Sequence, residues 1–210
     1  FRRKPSVGVA LRVQNGSILA VLPLLAVIGA SCGGSSDADL VEAAFLEFQT
    51  GLAEAKGDVL WGIVDDSTRT YFEELAKSIR ETCRLVSEAY PSDDRAATLR
   101  SVGGDILASA RDGKSLFVYM LDARRLVPPK DPDSAKVLEI KLNGRDATVV
   151  TRSGEVVAFA RNADGKWGTR MFLEAFRELP AIATLKDNIR TAHENCRMLG
   201  IDVDAYVTGK

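Results

Sequence analysis

The chain has 210 residues, with 28 Lys and Arg against 29 Asp and Glu, one His and three Cys, for a formal net charge of −1. That balance argues against a nucleic-acid partner, which asks for a marked positive excess. One histidine and three scattered cysteines give no metal-ligand spacing and no cofactor motif, and the length suits one compact domain.

Arg2, Arg3 and Lys4 open the chain, Arg12 follows, and residues 18–28 form an apolar run containing Pro23. Gly29-Ala30-Ser31 stands directly before Cys32, and Gly33-Gly34-Ser35-Ser36 comes after it. A basic start, a short apolar core and small residues at a cut site describe a secretory signal peptide. With cysteine immediately after the cut, the segment resembles the signal of bacterial lipoproteins. The resemblance implies that residues 1–31 are removed, that the Cys32 thiol carries a diacylglycerol and that the new amino terminus is acylated. Residues 32–36 would then be a flexible tether. An ordinary cleaved signal and an uncleaved anchor are the competing readings; a spanning helix needs about 20 apolar residues, more than this run supplies. The expected address is extracytoplasmic and membrane-anchored. It is the outer membrane facing the periplasm if the cell has one, because Gly33 stands where an inner-membrane retention signal would resemble Asp.

Residues 37–200 read as a single α+β domain. Asp37 or Asp39 can cap a first helix whose apolar positions Val41, Ala44, Phe45, Phe48 and Leu52 recur at three- and four-residue steps, and Gly57 ends it. Asp58 can cap a short second helix carrying Trp61. Ser67 can cap a third, striped by Phe72, Leu75, Ile79, Cys83, Val86 and Tyr90 and stopped at Pro91. Residues 92–111 read as helical pieces broken at Gly103-Gly104, and residues 116–126 as another helix closed by Pro128-Pro129. Basic residues gather between Arg95 and Lys130, but Asp105, Asp112 and Asp122 dilute them into a solvated face.

The period then changes. Leu138, Ile140 and Leu142 alternate with Glu139, Lys141 and Asn143, the pattern of a half-buried strand. Three more strands are expected at residues 146–152, 155–161 and 166–172, joined by tight turns at Asn143-Gly144, Ser153-Gly154 and residues 162–165. The result is a four-stranded antiparallel meander, expected to pack against the helix that carries Phe72, Leu75 and Ile79. Pro180 precedes a last helix with Ile182, Leu185, Ile189, Ala192, Cys196 and Leu199 on one face, and residues 201–210 read as a loose tail.

The opening helix, the Gly57-Asp58 break, and Ser67 leading to Tyr71-Phe72 resemble the start of nuclear transport factor 2-like domains of bacterial lipoproteins, within the ketosteroid isomerase-like superfamily. Ala147-x-Val149, Gly154 with Val157 and Phe159, and Asp164-Gly165-Lys166-Trp167 are similar to their later strands. The resemblance covers roughly residues 37–172 and rests on packing patterns. It implies a cone-like fold, a curved sheet around a long helix, often with a pocket inside. The helix after Pro180 is an addition.

Trp61, Tyr71, Phe72 and Trp167 are the candidates to line such a pocket, with core packing as the plainer reading. Asp65, Asp66 and Tyr71 are the candidates for acid–base work in the cone, yet Asp65-Asp66 reads more simply as a helix cap. His193 lies beside the apolar stripe of the last helix, where an edge residue is the simpler account. Cys83 and Cys196 both fall on apolar stripes. In an oxidising compartment they can form a disulfide, or they can remain two buried thiols. The reading that follows is a lipid-anchored extracytoplasmic binding or interaction module, non-enzymatic. Its partners would be the membrane, a small apolar ligand or an envelope protein, and a second copy met through the sheet. An enzyme working inside the cone and an envelope assembly scaffold are the alternatives. A filled interior favours a scaffold, an open apolar pocket a ligand, and a buried carboxylate in reach of a tyrosine an enzyme.

Overall fold

The computed structural model describes residues 35–122 and 135–207. Cys32, the signal segment 1–31, the helix end expected at 123–126 and the last three residues lie outside the described residues.

The first helix, α1 (Asp37–Ala53), is capped by Ser36 rather than by Asp37 or Asp39. The Ser36 hydroxyl accepts from the Asp39 amide, and the Asp39 carboxylate accepts in return from the Ser36 amide at 2.9 Å, a reciprocal box that satisfies two orphan donors. Val41, Phe45, Phe48 and Gly51 form its buried face. Gly57 does not end this helix but opens α2 (Gly57–Gly62). A side chain at Gly57 would meet Val118 at 2.9 Å, so close packing fixes the glycine there.

The long helix α3 (Asp66–Ala89) buries Phe72, Leu75, Ile79, Cys83 and Val86, as the stripe requires. Its cap is Asp65, whose side chain accepts from the Thr68 amide, and not Ser67. The helical pieces α4 (Ser92–Ser101) and α5 (Gly104–Leu107) break at the expected glycines. The next helix, α6 (Gly113–Asp122), starts three residues early: Asp112 Oδ1 accepts from the Ser115 amide at 2.7 Å as a cap, and Gly113 donates its amide to Glu73 Oε2 on α3.

Strands β1 (Val137–Asn143), β2 (Asp146–Thr151), β3 (Val156–Arg161) and β4 (Trp167–Thr169) form one curved antiparallel sheet in the order β1-β2-β3-β4. Helices come first, then the meander, then another helix, so the class is α+β as expected. The helix laid on the sheet, however, is α1: it contacts β1, β2 and β4, and the Phe45 ring meets Phe159 edge-on at 6.4 Å. The stripe of α3 is occupied instead by α6 on one side and α8 (Pro180–Met198) on another.

The fourth strand is shorter than expected. Thr169 donates its amide to Ile63 O and accepts from the Asp65 amide, so residues 63–65 cover the outer edge of β4. Beyond it the chain turns into α7 (Met171–Arg177), and Phe172 is a helical residue packed on Phe48 and Phe117. The tail is not loose through Val207. Val203 is buried, a short helix α9 (Asp204–Val207) docks on α3, and Arg84 donates to Tyr206 O while its guanidinium sits 5.5 Å from the Tyr206 ring.

Candidate functional site

The interior among α2, α3, α6 and α7 is filled with rings. Phe72 is fully buried and meets Tyr71, Phe117 and Phe176 at centroid distances of 5.5, 5.3 and 5.1 Å, all edge-on. Phe117 continues the cluster to Phe172, and partly buried Trp61 packs against both Phe72 and Phe117. Trp61 and Phe72 therefore pack as core. Trp167, at the start of β4, is likewise buried in the core, with the Arg161 guanidinium 5.8 Å from its ring.

The two acidic candidates are committed to structure. Asp65 is buried and accepts from the amide and hydroxyl of Thr68, with Arg170 Nε at 3.4 Å. Asp66 Oδ2 accepts from the Ala163 amide at 2.7 Å. The Asp66 amide in turn donates to Asn162 Oδ1, and Asn162 Nδ2 donates to Val64 O. This clasp ties the start of α3 to the β3–β4 turn. Tyr71 is not among these partners, so the pairing of buried carboxylate and tyrosine that would mark acid–base work is not formed by Asp65 or Asp66.

Cys83 and Cys196 are both buried free thiols, so the disulfide reading is replaced by its alternative. Each packs in the core as a small hydrophobe. Burial pushes the Cys83 thiol up to about 11 and raises that of Cys196 as well. His193 joins the two helices from the edge of the stripe. Its Nε2 lies 2.8 Å from the hydroxyl of fully buried Thr82, and burial first, then Arg197, lowers its pKa.

Tyr71 leads to a different place. It lines a cleft of about 360 Å³ between α3 and α8. Leu75 and Ile189, both buried, make the apolar lining, and Ser78 and His193 add polar groups. Lys186, Arg190 and Arg197 bring positive charge from α8, against Glu74 from α3. Arg190 is held by Asp187 and Glu194 on its own helix, each at 3.2 Å, and Arg197 lies 3.9 Å from Asp204. Lys186 has no carboxylate within ion-pairing distance among the described residues. Its Nζ lies 4.5 Å from the Tyr71 ring centroid, and Arg177 of α7 lies 5.5 Å from the same ring. The Tyr71 hydroxyl is buried without a hydrogen-bond partner among the described residues. A buried hydroxyl in that condition costs about 1–3 kcal/mol, which an acceptor brought from outside would offset.

Chemically this arrangement suits an anion with an apolar body. Two cations flank one ring, a donor lacks an acceptor, and the lining is aliphatic. The sequence signal was the spacing of Lys186, Arg190 and Arg197 at four- and seven-residue steps on the polar side of the last helix. Tyr71 was legible only as a neighbour of the Phe72 stripe. Among the described residues no group of three His, Cys, Asp or Glu could hold a metal ion, and no helix is long and apolar enough to cross a membrane. No family model matches the chain, and neither curated proteins nor solved structures give a match.

Proposed function

We propose that the chain is a lipid-anchored extracytoplasmic binding module of the nuclear transport factor 2-like kind, non-enzymatic, which takes its ligand on the outside of the fold. The observation that carries this reading is an interior packed with rings, Phe72 and Phe117 among the helices and Phe45 on Phe159 between α1 and the sheet, which leaves no room inside for the chemistry of an enzyme of that superfamily. Binding is then left to the surface, and the α3–α8 cleft is the concave place that joins apolar lining to unpaired charge. Its chemistry suits a small amphiphilic carboxylate, with the head near Lys186 and the body along Leu75 and Ile189. The sequence around Cys32 supports the anchor.

Two measurements test the two halves separately. Mass spectrometry of the cell-derived protein is expected to find Cys32 acylated at the amino terminus; an unmodified Cys32 removes the anchor. Calorimetric titration of the full chain with octanoate is expected to give saturable binding, weakened about tenfold in Lys186→Met. Equal affinity for octanol, or for the variant, removes the cleft. The scaffold reading is favoured by the same filled interior, and it gains if octanoate does not bind.

A further inference from the structure

The two edges of the sheet are treated differently. Residues 63–65 cover β4, whereas no strand among the described residues pairs with the outer side of β1. Hydrogen-bond parity tells which groups that side presents. Arg161 donates its amide to Arg145 O and Thr151 donates to Glu155 O, so the odd-numbered residues of β2 face β3. The even-numbered ones, Asp146, Thr148 and Val150, therefore face β1, where their partners are Asn143, Lys141 and Glu139. In an antiparallel ladder the residues between these point their N–H and C=O the other way. Ile140 and Leu142 thus direct their backbone groups off the sheet.

The side chains along this edge are unusual for a solvated strand. Leu138 is 66% exposed and Leu142 46%. Exposed edges are normally blunted by charge, and a lone lysine would serve. Here Lys141 is matched two residues away by Glu139, at 3.2 Å. The strand is consequently self-complementary when reversed about Ile140. Glu139 then opposes Lys141 of a second copy, Lys141 opposes its Glu139, and exposed Leu138, at the irregularity of the strand, falls beside its Leu142. The alternative register, centred on Lys141, would set lysine directly against lysine, which is destabilising. The irregularity between Val137 and Glu139 confines the ladder to its centre.

We infer that β1 is a homodimer strand, pairing antiparallel with β1 of a second copy about a two-fold axis at Ile140. The partner is fixed by this complementarity of charge and apolar side chains, and the inference goes beyond the cleft and does not depend on it. Two such chains would join their sheets into one of eight strands with no free β1 edge.

The test uses charge swaps in the full chain, read by light scattering after size exclusion over a range of concentrations. The wild-type chain is expected to reach twice the chain mass. Glu139→Lys and Lys141→Glu each place like charges opposite one another twice, and each is expected to weaken the dimer about tenfold. Mixing the two variants is expected to restore it, since every cross-pair is then of opposite sign. Ile140→Pro removes the outward N–H at the axis and is expected to give a monomer. Unchanged circular dichroism and melting would show that this variant keeps its fold, and the swaps carry the test if it does not. A wild-type chain that stays monomeric overturns the inference. So does a single swap that leaves the dimer intact, or a mixture that fails to re-form it.

Discussion

Replacing Phe72 by alanine tests the core directly. The side chain is fully buried and touches four rings, those of Trp61, Tyr71, Phe117 and Phe176. These neighbours stand on α2, α3, α6 and α7, so the cavity walls belong to separate elements and cannot close by one side chain turning. A fully buried phenylalanine truncated in this way costs about 3–5 kcal/mol. Each edge-on ring pair is worth about 0.5–1.5 kcal/mol, but the pairs share Phe72 and do not add. About 4 kcal/mol is the working figure, a large share of the roughly 5–15 kcal/mol of a typical domain. At about 2–4 °C per kcal/mol, melting should fall by roughly 8–16 °C. Urea melts followed by circular dichroism measure it, with an unchanged slope showing that the same surface is exposed on unfolding. Met198→Ala, at a side chain 79% exposed, is the reference and should stay within about 0.5 kcal/mol. If Phe72→Ala costs no more than Met198→Ala, the ring cluster is not the core and the reasoning from a filled interior fails.

Gly168→Ala places a carbon 2.6 Å from Val64 O and 2.7 Å from the Asp65 amide nitrogen; because these are backbone atoms that cannot turn aside, about 1–3 kcal/mol should be lost in the same melts. In a Cys32→Ser chain two thiols should react with a thiol reagent in denaturant and neither promptly in the native state, since Cys83 and Cys196 are free and buried; no reaction in denaturant would restore the disulfide. His193 has a folded-state pKa below its ordinary value of 6.5, so its neutral form is favoured by folding. Its contribution is present in full above about pH 6.5 and is lost as pH falls below that value through the lowered folded pKa; His193→Gln should flatten the dependence of stability on pH across that window.

Periodicity revealed most of the architecture. The stripes of α1, α3 and α8 are spaced as buried helical faces must be, and β1 to β3 begin and end within a residue of the alternation that marks them. What failed was information that periodicity does not hold. Residues 166–172 alternate well enough for a strand, but the bridge from Thr169 to residues 63–65 ends β4, and no local signal announces a contact that long. The apolar stripe of α3 shows that it is buried, not by what, and α6 and α8 won the place given to the sheet. Cys83 and Cys196 read as inward-facing and are so, but direction alone does not bring two sulfurs together. The cleft was the least legible, because Tyr71, Arg177 and Lys186 come from three elements and none of them is part of a motif.

The clasp among Val64, Asp66, Asn162 and Ala163 bears on the order in which the chain can assemble. It links the first turn of α3 to groups synthesised nearly a hundred positions later. The apolar face of α1 likewise waits for β1 and β2, and residues 63–65 wait for the edge of β4. Helices α1 to α6 can therefore form as they emerge from the ribosome, and α2, α3 and α6 can pack on one another, but α1 and the far side of α3 stay uncovered. The partners of α1 arrive with the hairpins and those of the far side of α3 only with α7 and α8, and such distant contacts make closure slow. During that interval the Phe72 and Phe117 rings lack Phe176 and Phe172, and the apolar face of α1 is open to solvent or to a chaperone. A nascent fragment stopped before β1 should bind a hydrophobic dye, and full protection of its amides should come only once α8 is made.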